Sequence, residues 1–319
     1  MSAVLLDHHR LQYLHEAVRL GSVRAAAEAL DINASVVSRQ IALLEKELGL
    51  SLIERLSRGI RATEAGALLV ERFRKWEADQ ADTVAKLREL QGLKRGHVDI
   101  VLGEGFVSDL MSGPLGRFWL RHADLTMAFD LAGTNEVVNA VAEDRYHIGL
   151  VFNPSADPRI RVATASRQPL CAILPPGHAL AGLNRPLRLH ELVDHPLGLM
   201  HPSYGTRQIL AMAEAAERIA LAPKLTTSSI NVLRHFVKSG LGLTLLPAFS
   251  IAADLADGSL AAIPIDNRLL SSSEACVITR RGRELPHAAG QLLRFLSGQM
   301  RAFRAGEPAA KMKPRATRR

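Results

Sequence analysis

Residues 33–48, NASVVSRQIALLEKEL, decide how the rest of the chain is read. Val37, Ile41, Leu44 and Leu48 recur at i, i+4, i+7 and i+11, which places four apolar side chains on one helical face and predicts that this face is buried. Ser35, Ser38 and Arg39 fall on the other side, and Asn33 stands where a side-chain oxygen can cap the first free amides. Small polar groups and one guanidinium at a helix start suit the major groove of DNA. A capped amphipathic helix alone is more often a packed surface helix, so the flanks decide the reading.

Upstream, residues 22–30 (SVRAAAEAL) are Ala-rich, so another helix can cross them closely, and only Asp31 and Ile32 separate them from Asn33. That is the spacing of a helix-turn-helix. Downstream, Gly49 and Leu50 end the helix, and residues 51–62 (SLIERLSRGIRA) alternate loosely around Ser57, Arg58 and Gly59, as a small β-hairpin does. Arg55, Arg58 and Arg61 would then lie on a wing beside the phosphates. With AAAEAL at 25–30, VSRQI at 37–41, LEKELG at 44–49 and TEAG at 63–66, residues 11–66 resemble the winged helix-turn-helix of LysR-type transcriptional regulators. The resemblance implies DNA contacts from Asn33, Ala34, Ser35, Ser38 and Arg39 together with the three wing arginines. The chain departs from the family at the helix start, where Ser or Thr, Gln, and Pro or Ser are usual and Asn33, Ala34 and Ser35 stand. Ala34 lacks the amide with which Gln contacts a base.

The chain has 319 residues, 47% hydrophobic and 23% charged, the composition of a soluble protein with about two domains. Asp7, His8 and His9 stand where a secretory signal needs an apolar core, and no apolar run approaches ~18 residues, so a cytoplasmic protein with no membrane partner is expected. Much of the formal charge of +8 lies in residues 301–319, where seven basic residues accompany one acidic residue, Glu307; this reads as a basic disordered tail. Cys171 and Cys276 lie in the apolar runs PLCAIL and ACVI and read as buried thiols without the basic setting that activates a thiolate.

Leu11, Leu14 and Val18 make the buried stripe of a first helix that Gly21 ends. Thr63 starts a long helix in which Leu69, Phe73, Trp76, Gln80, Thr83, Leu87 and Leu90 alternate steps of four and three, a coiled-coil seam. Dimerisation through Leu69, Phe73, Trp76, Leu87 and Leu90 is expected, although packing against its own domain would give a similar stripe. After the break at residues 92–96, apolar strands alternate with helices as in a βαβαβ unit with a parallel sheet, and a second such unit follows. GHVDIVLG at 96–103, LPPGHALA at 174–181 and SGLGLTLLP at 239–247 resemble the effector domain of the same family. The implied α/β fold has a winged helix-turn-helix at 1–62, a linker helix and hinge at 63–95, an effector domain at 96–300 and the tail at 301–319. The effector domain is periplasmic-binding-protein-like, with two Rossmann-like subdomains, 96–163 with 268–300 and 164–267, joined by two crossing strands.

Ligands bind such sheets outside the carboxyl ends of strands, where helix N-termini offer free amides. Reading the strand ends gives Glu104, Gly105 and Phe106 after Gly103; Thr134 and Asn135 after Gly133; Asn153; Ser203, Tyr204, Thr206 and Arg207; and Ser228 with Ser229. Glu104 and Arg207 are expected to define the charges of a small polar effector, such as an amino acid. No catalytic motif, metal site or cofactor fingerprint occurs, so no enzyme is expected. An effector-controlled DNA-binding regulator is the leading reading, with a redox switch through Cys171 and Cys276, or a solute-binding protein, as alternatives. The expected partners are double-stranded DNA, a small-molecule effector, further copies in a homodimer or homotetramer, and RNA polymerase.

Overall fold

The computed structural model describes residues 6–57, 59–90, 96–183 and 185–304. It divides into two compact units, Met1–Val84 and Ala85–Arg319.

The first unit holds α1 (His8–Arg19), α2 (Val23–Ala29), α3 (Ala34–Leu48), the antiparallel hairpin β1 (Ile53–Arg55) and β2 (Ile60–Ala62), and the start of α4 (Glu64–Leu90). Each short helix begins on a side-chain cap: Asp7 accepts from Arg10 N, Ser22 Oγ from Ala25 N, and Asn33 Oδ1 from Ser35 N. These satisfy amides that the first helical turn leaves free. Leu11 and Leu14 of α1, Ala26 and Ala27 of α2, and Val37, Ile41 and Leu44 of α3 form one core. The small alanines let α2 be crossed closely, as the sequence suggests. Gly66 seats α4, because a Cβ there would lie 1.9 Å from the Leu52 carbonyl oxygen.

The expected seam on α4 is corrected in part. Phe73 is 3% exposed and closes the core of its own unit, with the His8 and His15 rings at 5.1 and 5.2 Å, and Leu69 packs against the same core. Leu87 remains outward at 55% exposure, with Leu68 and Val84 as further exposed apolar groups on the helix, while Trp76, 36% exposed, is partly outward and sets one edge on the His8 ring at 4.9 Å. The Leu90 side chain lies outside those described.

The second unit opens with β3 (His97–Leu102), α5 (Val107–Met111), α6 (Pro114–Trp119), β4 (Thr126–Leu131), α7 (Thr134–Ala142), β5 (Ile148–Phe152) and β6 (Ile160–Arg167). Two short helices, α5 and α6, stand between β3 and β4 because Pro114 opens a helix and cannot continue one. The chain continues through β7 (Leu170–Leu174), β8 (Leu197–Met200), α8 (Gly205–Glu217), β9 (Pro223–Thr227), α9 (Ile230–Lys238), β10 (Thr244–Pro247), α10 (Ala252–Ala256) and β11 (Ala261–Pro264). It closes with α11 (Arg268–Ser271), β12 (Glu274–Arg280) and α12 (His287–Gln299).

The first lobe's sheet has the order β4-β3-β5-β12-β6, and it is mixed rather than all parallel. β3 pairs in parallel with β4 and β5, whereas the returning β12 runs antiparallel to both β5 and β6. The second lobe pairs β7 antiparallel with β10 and β11, and β8 in parallel with β9. The lobes cross at Gln168 and Ser273, where Gln168 N donates to Ser273 O at 2.8 Å and Ser273 Oγ donates back to Gln168 O at 3.0 Å. The crossings therefore lie later than the expected boundaries at 164 and 268: β6 belongs wholly to the first sheet, and Asn267, which caps α11, is tied to Glu217 at the end of α8.

The expected tail also starts too early. Residues Arg301–Phe303 form a 3-10 turn with Ala302 and Phe303 buried; Ala302 N donates to Asp109 Oδ2, and the carbonyls of Arg301 and Ala302 accept from Gln168 Nε2. Phe303 stacks on Phe106, so apolar burial holds the segment despite its basic neighbours. Residues 305–319 lie outside the described residues. Among the described residues, no helix is long and apolar enough to cross a membrane, and no group of three or more His, Cys, Asp or Glu is placed to hold a metal.

Candidate DNA-binding surface and interlobe cleft

Asn33 Oδ1 accepts from both the amide and the hydroxyl of Ser35, at 3.0 and 2.9 Å. The Ser35 proton is thus committed to the cap, leaving its oxygen lone pairs outward. Ala34 is corrected as a groove-facing residue, because it packs against the core beside Val37 and Ile41. Arg39 is exposed and has no ion pair or hydrogen bond among the described residues; Arg55 on the wing is likewise exposed and unpaired. Arg61 pairs across the hairpin with Glu54 at 2.7 Å, and Arg58 lies outside the described residues. Ser38 is half-buried on the flank of α3.

In the second unit, β3 ends at Leu102 and delivers Glu104 into the space between the lobes. Its carboxylate lies on the start of α9, where Oε1 accepts from Ser229 Oγ at 2.9 Å and Asn231 N at 3.3 Å, and Oε2 from Ile230 N at 2.5 Å. On the other side of the cleft, Thr134 Oγ1 accepts from Gly205 N at 2.7 Å and lies 3.4 Å from the Phe152 carbonyl. Glycine is required at 205, since a Cβ would sit 1.9 Å from the Phe152 oxygen. Between these contacts is a cavity of about 30 Å³, room for one or two waters. Glu104, Gly105, Phe106, Thr134, Tyr204 and Thr206 line it, as the strand-end reading expects, together with Phe152, Met200, Ile230, Pro247 and Phe249. Thr206 is 8% exposed, and its hydroxyl has no hydrogen-bond partner among the described residues. Burial, and after it the charges of Glu104 and Glu136, push the Tyr204 phenol above its ordinary value.

The remaining expected residues do not reach the cavity. Arg207 is the main correction: its Nη1 donates to Glu214 Oε2 at 2.7 Å, two turns along its own helix, so it cannot oppose Glu104. Asn135 accepts from Gln208 Nε2 at 3.3 Å, Ser203 Oγ lies 3.1 Å from His201 Nδ1, and Ser228 is exposed. Asn153 takes a left-handed φ of 47° and donates its amide to Glu274 O. Sequence reasoning missed Pro247, which ends β10, and Phe249 just after it, although the strand-end rule applied to β10 would have found them.

Cys171 in β7 and Cys276 in β12 are buried free thiols. Burial pushes both up to about 12, aided at Cys276 by the charge of Glu274. Thiols so raised are held protonated at neutral pH, which counts against a redox switch that works through a thiolate.

The family model described as LysR substrate binding domain matches residues 91–301, and that of the bacterial regulatory helix-turn-helix protein, lysR family, matches residues 8–67. The RuBisCO operon transcriptional regulator of Allochromatium vinosum is 26% identical over 289 residues, covering 90% of this chain and 94% of its own. Among solved structures, ArgP from Mycobacterium tuberculosis superposes with a TM-score of 0.68 at 20% identity, over 93% of this chain and 100% of that one. Full-length CbnR, solved with its target DNA, gives a TM-score of 0.51 at 18% identity, over 92% and 99% of the two chains. The chain belongs to the LysR family: it is a transcription regulator rather than an enzyme, with a DNA-binding helix-turn-helix and an effector-binding domain.

Proposed function

We propose that the protein works in the cytoplasm as a homodimer or homotetramer on double-stranded DNA, reporting the occupancy of its interlobe cleft to RNA polymerase. α3 enters the major groove with Arg39 and the polar edge of Ser35 and Ser38, while Arg55, Arg58 and Arg61 attend the phosphates. The outward Trp76 and Leu87 of α4, with Leu68 and Val84, associate with a second copy. The solved CbnR complex with its target DNA supports the first part, since that protein shares this fold.

The observation that carries the effector reading is Thr206, a buried hydroxyl without a partner in a cavity that also holds Thr134 and Tyr204. Leaving such a group unsatisfied costs about 1–3 kcal/mol, which a ligand that bonds to it recovers. With Arg207 withdrawn by Glu214, the described residues that line the cavity offer hydroxyls, aromatic faces and a carboxylate but no cation, so a small molecule with a hydrogen-bonding head and an apolar body fits better than a zwitterion. The cavity of about 30 Å³ is too small for a metabolite, so binding requires the lobes to part and shifts the population of their arrangements. The test is a metabolite thermal-shift screen of the full chain and of Thr206→Val. A ligand that stabilises the parent should lose most of its effect in the variant; an undiminished shift would place binding elsewhere.

A further inference from the structure

The carboxylate of Glu104 does what a bound anion would do. A helix N-terminus presents unpaired amides and the positive end of the helix dipole, and a neighbouring hydroxyl completes a ready receptor for a carboxylate. At the start of the nine-residue α9 these donors are Ile230 N, Asn231 N and Ser229 Oγ, and all three lie within 3.3 Å of Glu104. The carboxylate comes from the opposite lobe, more than 120 positions earlier in the chain. Gly105 keeps the turn uncrowded, since a Cβ there would sit 3.1 Å from the tip of the Ile230 side chain.

No cation shares this contact among the described residues. Arg234, one turn along α9, binds Asp254 through Nε at 2.5 Å and Nη2 at 2.8 Å, and Lys238 is drawn to the same carboxylate. The direct hydrogen bonds to Glu104 are therefore all from helix amides and one hydroxyl, the set that would otherwise hold a free anion, and Arg234 adds only a through-space attraction.

We infer that Glu104 is a built-in occupant of the anion site at the start of α9, and that it sets effector specificity by keeping small carboxylates and other anions out of the cleft. An anionic molecule entering there must displace three hydrogen bonds and face a like charge. A neutral or cationic molecule meets neither obstacle. The inference deepens the effector reading of the same cleft, but it is tested without the natural effector.

The full-length chain is compared with Glu104→Ala, Glu104→Ser and Glu104→Gln, with sodium acetate as the probe and sodium chloride at equal ionic strength as the control. The parent should show no acetate-specific change in melting temperature. Glu104→Ala and Glu104→Ser empty the site, so they should melt lower and recover saturably with acetate, by about 2–4 °C. Glu104→Gln, which still fills the space, should show no such recovery. Isotope-labelled acetate should broaden in the NMR spectrum with the two short variants only. Should Glu104→Ala fail to fold, Glu104→Ser is read in the same way, and the parent titration stands by itself. Saturable acetate binding by the parent, or none by a folded short variant, overturns the inference. Neither result bears on Thr206→Val, so a failure here is distinguishable from a failure of the effector reading.

Discussion

Replacing Phe73 by Ala separates a core residue from a seam residue. The side chain is 3% exposed and touches the His8 and His15 rings of α1, so its removal leaves a cavity where α1 meets α4. A buried Phe→Ala change costs about 3–5 kcal/mol, and the lost ring contacts place the expectation toward the upper end. At roughly 4–8 °C per kcal/mol for a unit of this size, the loss exceeds ~12 °C and is comparable to the whole stability of many small domains. His15 should report the same event. Burial, followed by the charge of Arg74, holds its pKa below the ordinary value, and water admitted by the cavity should let it rise. The assay is calorimetry of the full chain with DNA anisotropy alongside: the transition of the N-terminal unit should fall or vanish and DNA binding with it, while the transition of the effector unit stays put. Trp76→Ala, at a site 36% exposed that keeps one contact with the His8 ring, should cost less stability and weaken self-association as well. If Phe73→Ala left the N-terminal transition within ~1 kcal/mol of the parent but dissociated the oligomer in sedimentation, Phe73 would be a seam residue after all.

Arg39→Ala should weaken DNA binding; a phosphate contact lowers the salt slope by about one and affects all sequences alike, whereas a base contact costs about 1–3 kcal/mol at one position, and an unchanged titration excludes both. Alkylation by iodoacetamide at neutral pH should leave Cys171 and Cys276 unmodified in the native chain, because thiols pushed up to about 12 are protonated; rapid labelling of either would reopen the redox reading. Burial works to raise the Asp254 pKa, but hydrogen bonds from Arg234 and Lys238 outweigh it and hold the carboxyl below its ordinary range. A folded-state pKa that is depressed stabilises above the unfolded value and loses that contribution as pH falls through the folded one. Asp254→Asn should accordingly flatten the loss of stability on acidification below the ordinary carboxylate range, and an acid-unfolding profile of unchanged steepness counts against the pairing.

The sequence made the core face of α3 legible because its apolar spacing admits one helical solution. Ala34 belonged to that solution too, three residues before Val37 and seven before Ile41, and only the family motif turned it outward. α4 was ambiguous because steps of four and three serve a helix's own core as well as a partner's, and Phe73 and Trp76 divide between the two uses. β6 is hard to read from sequence because it lies at the sheet edge, where a half-wetted strand such as IRVATASR carries no apolar run.

The two charges of the cleft failed for different reasons. Arg207 and Glu214 stand seven apart on one helix, two turns along the same face, so their pairing was open to a purely local reading. A cation should be matched against the acids on its own helix before it is assigned to a distant cleft, since the local pair forms with little extra ordering cost. Glu104 has only Gly103, Gly105 and Phe106 beside it and needs a partner from far along the chain. The partner it finds is mostly backbone. Amides at a helix start carry no side-chain signature, so this contact between the lobes was one that residue types alone were poorly able to reveal.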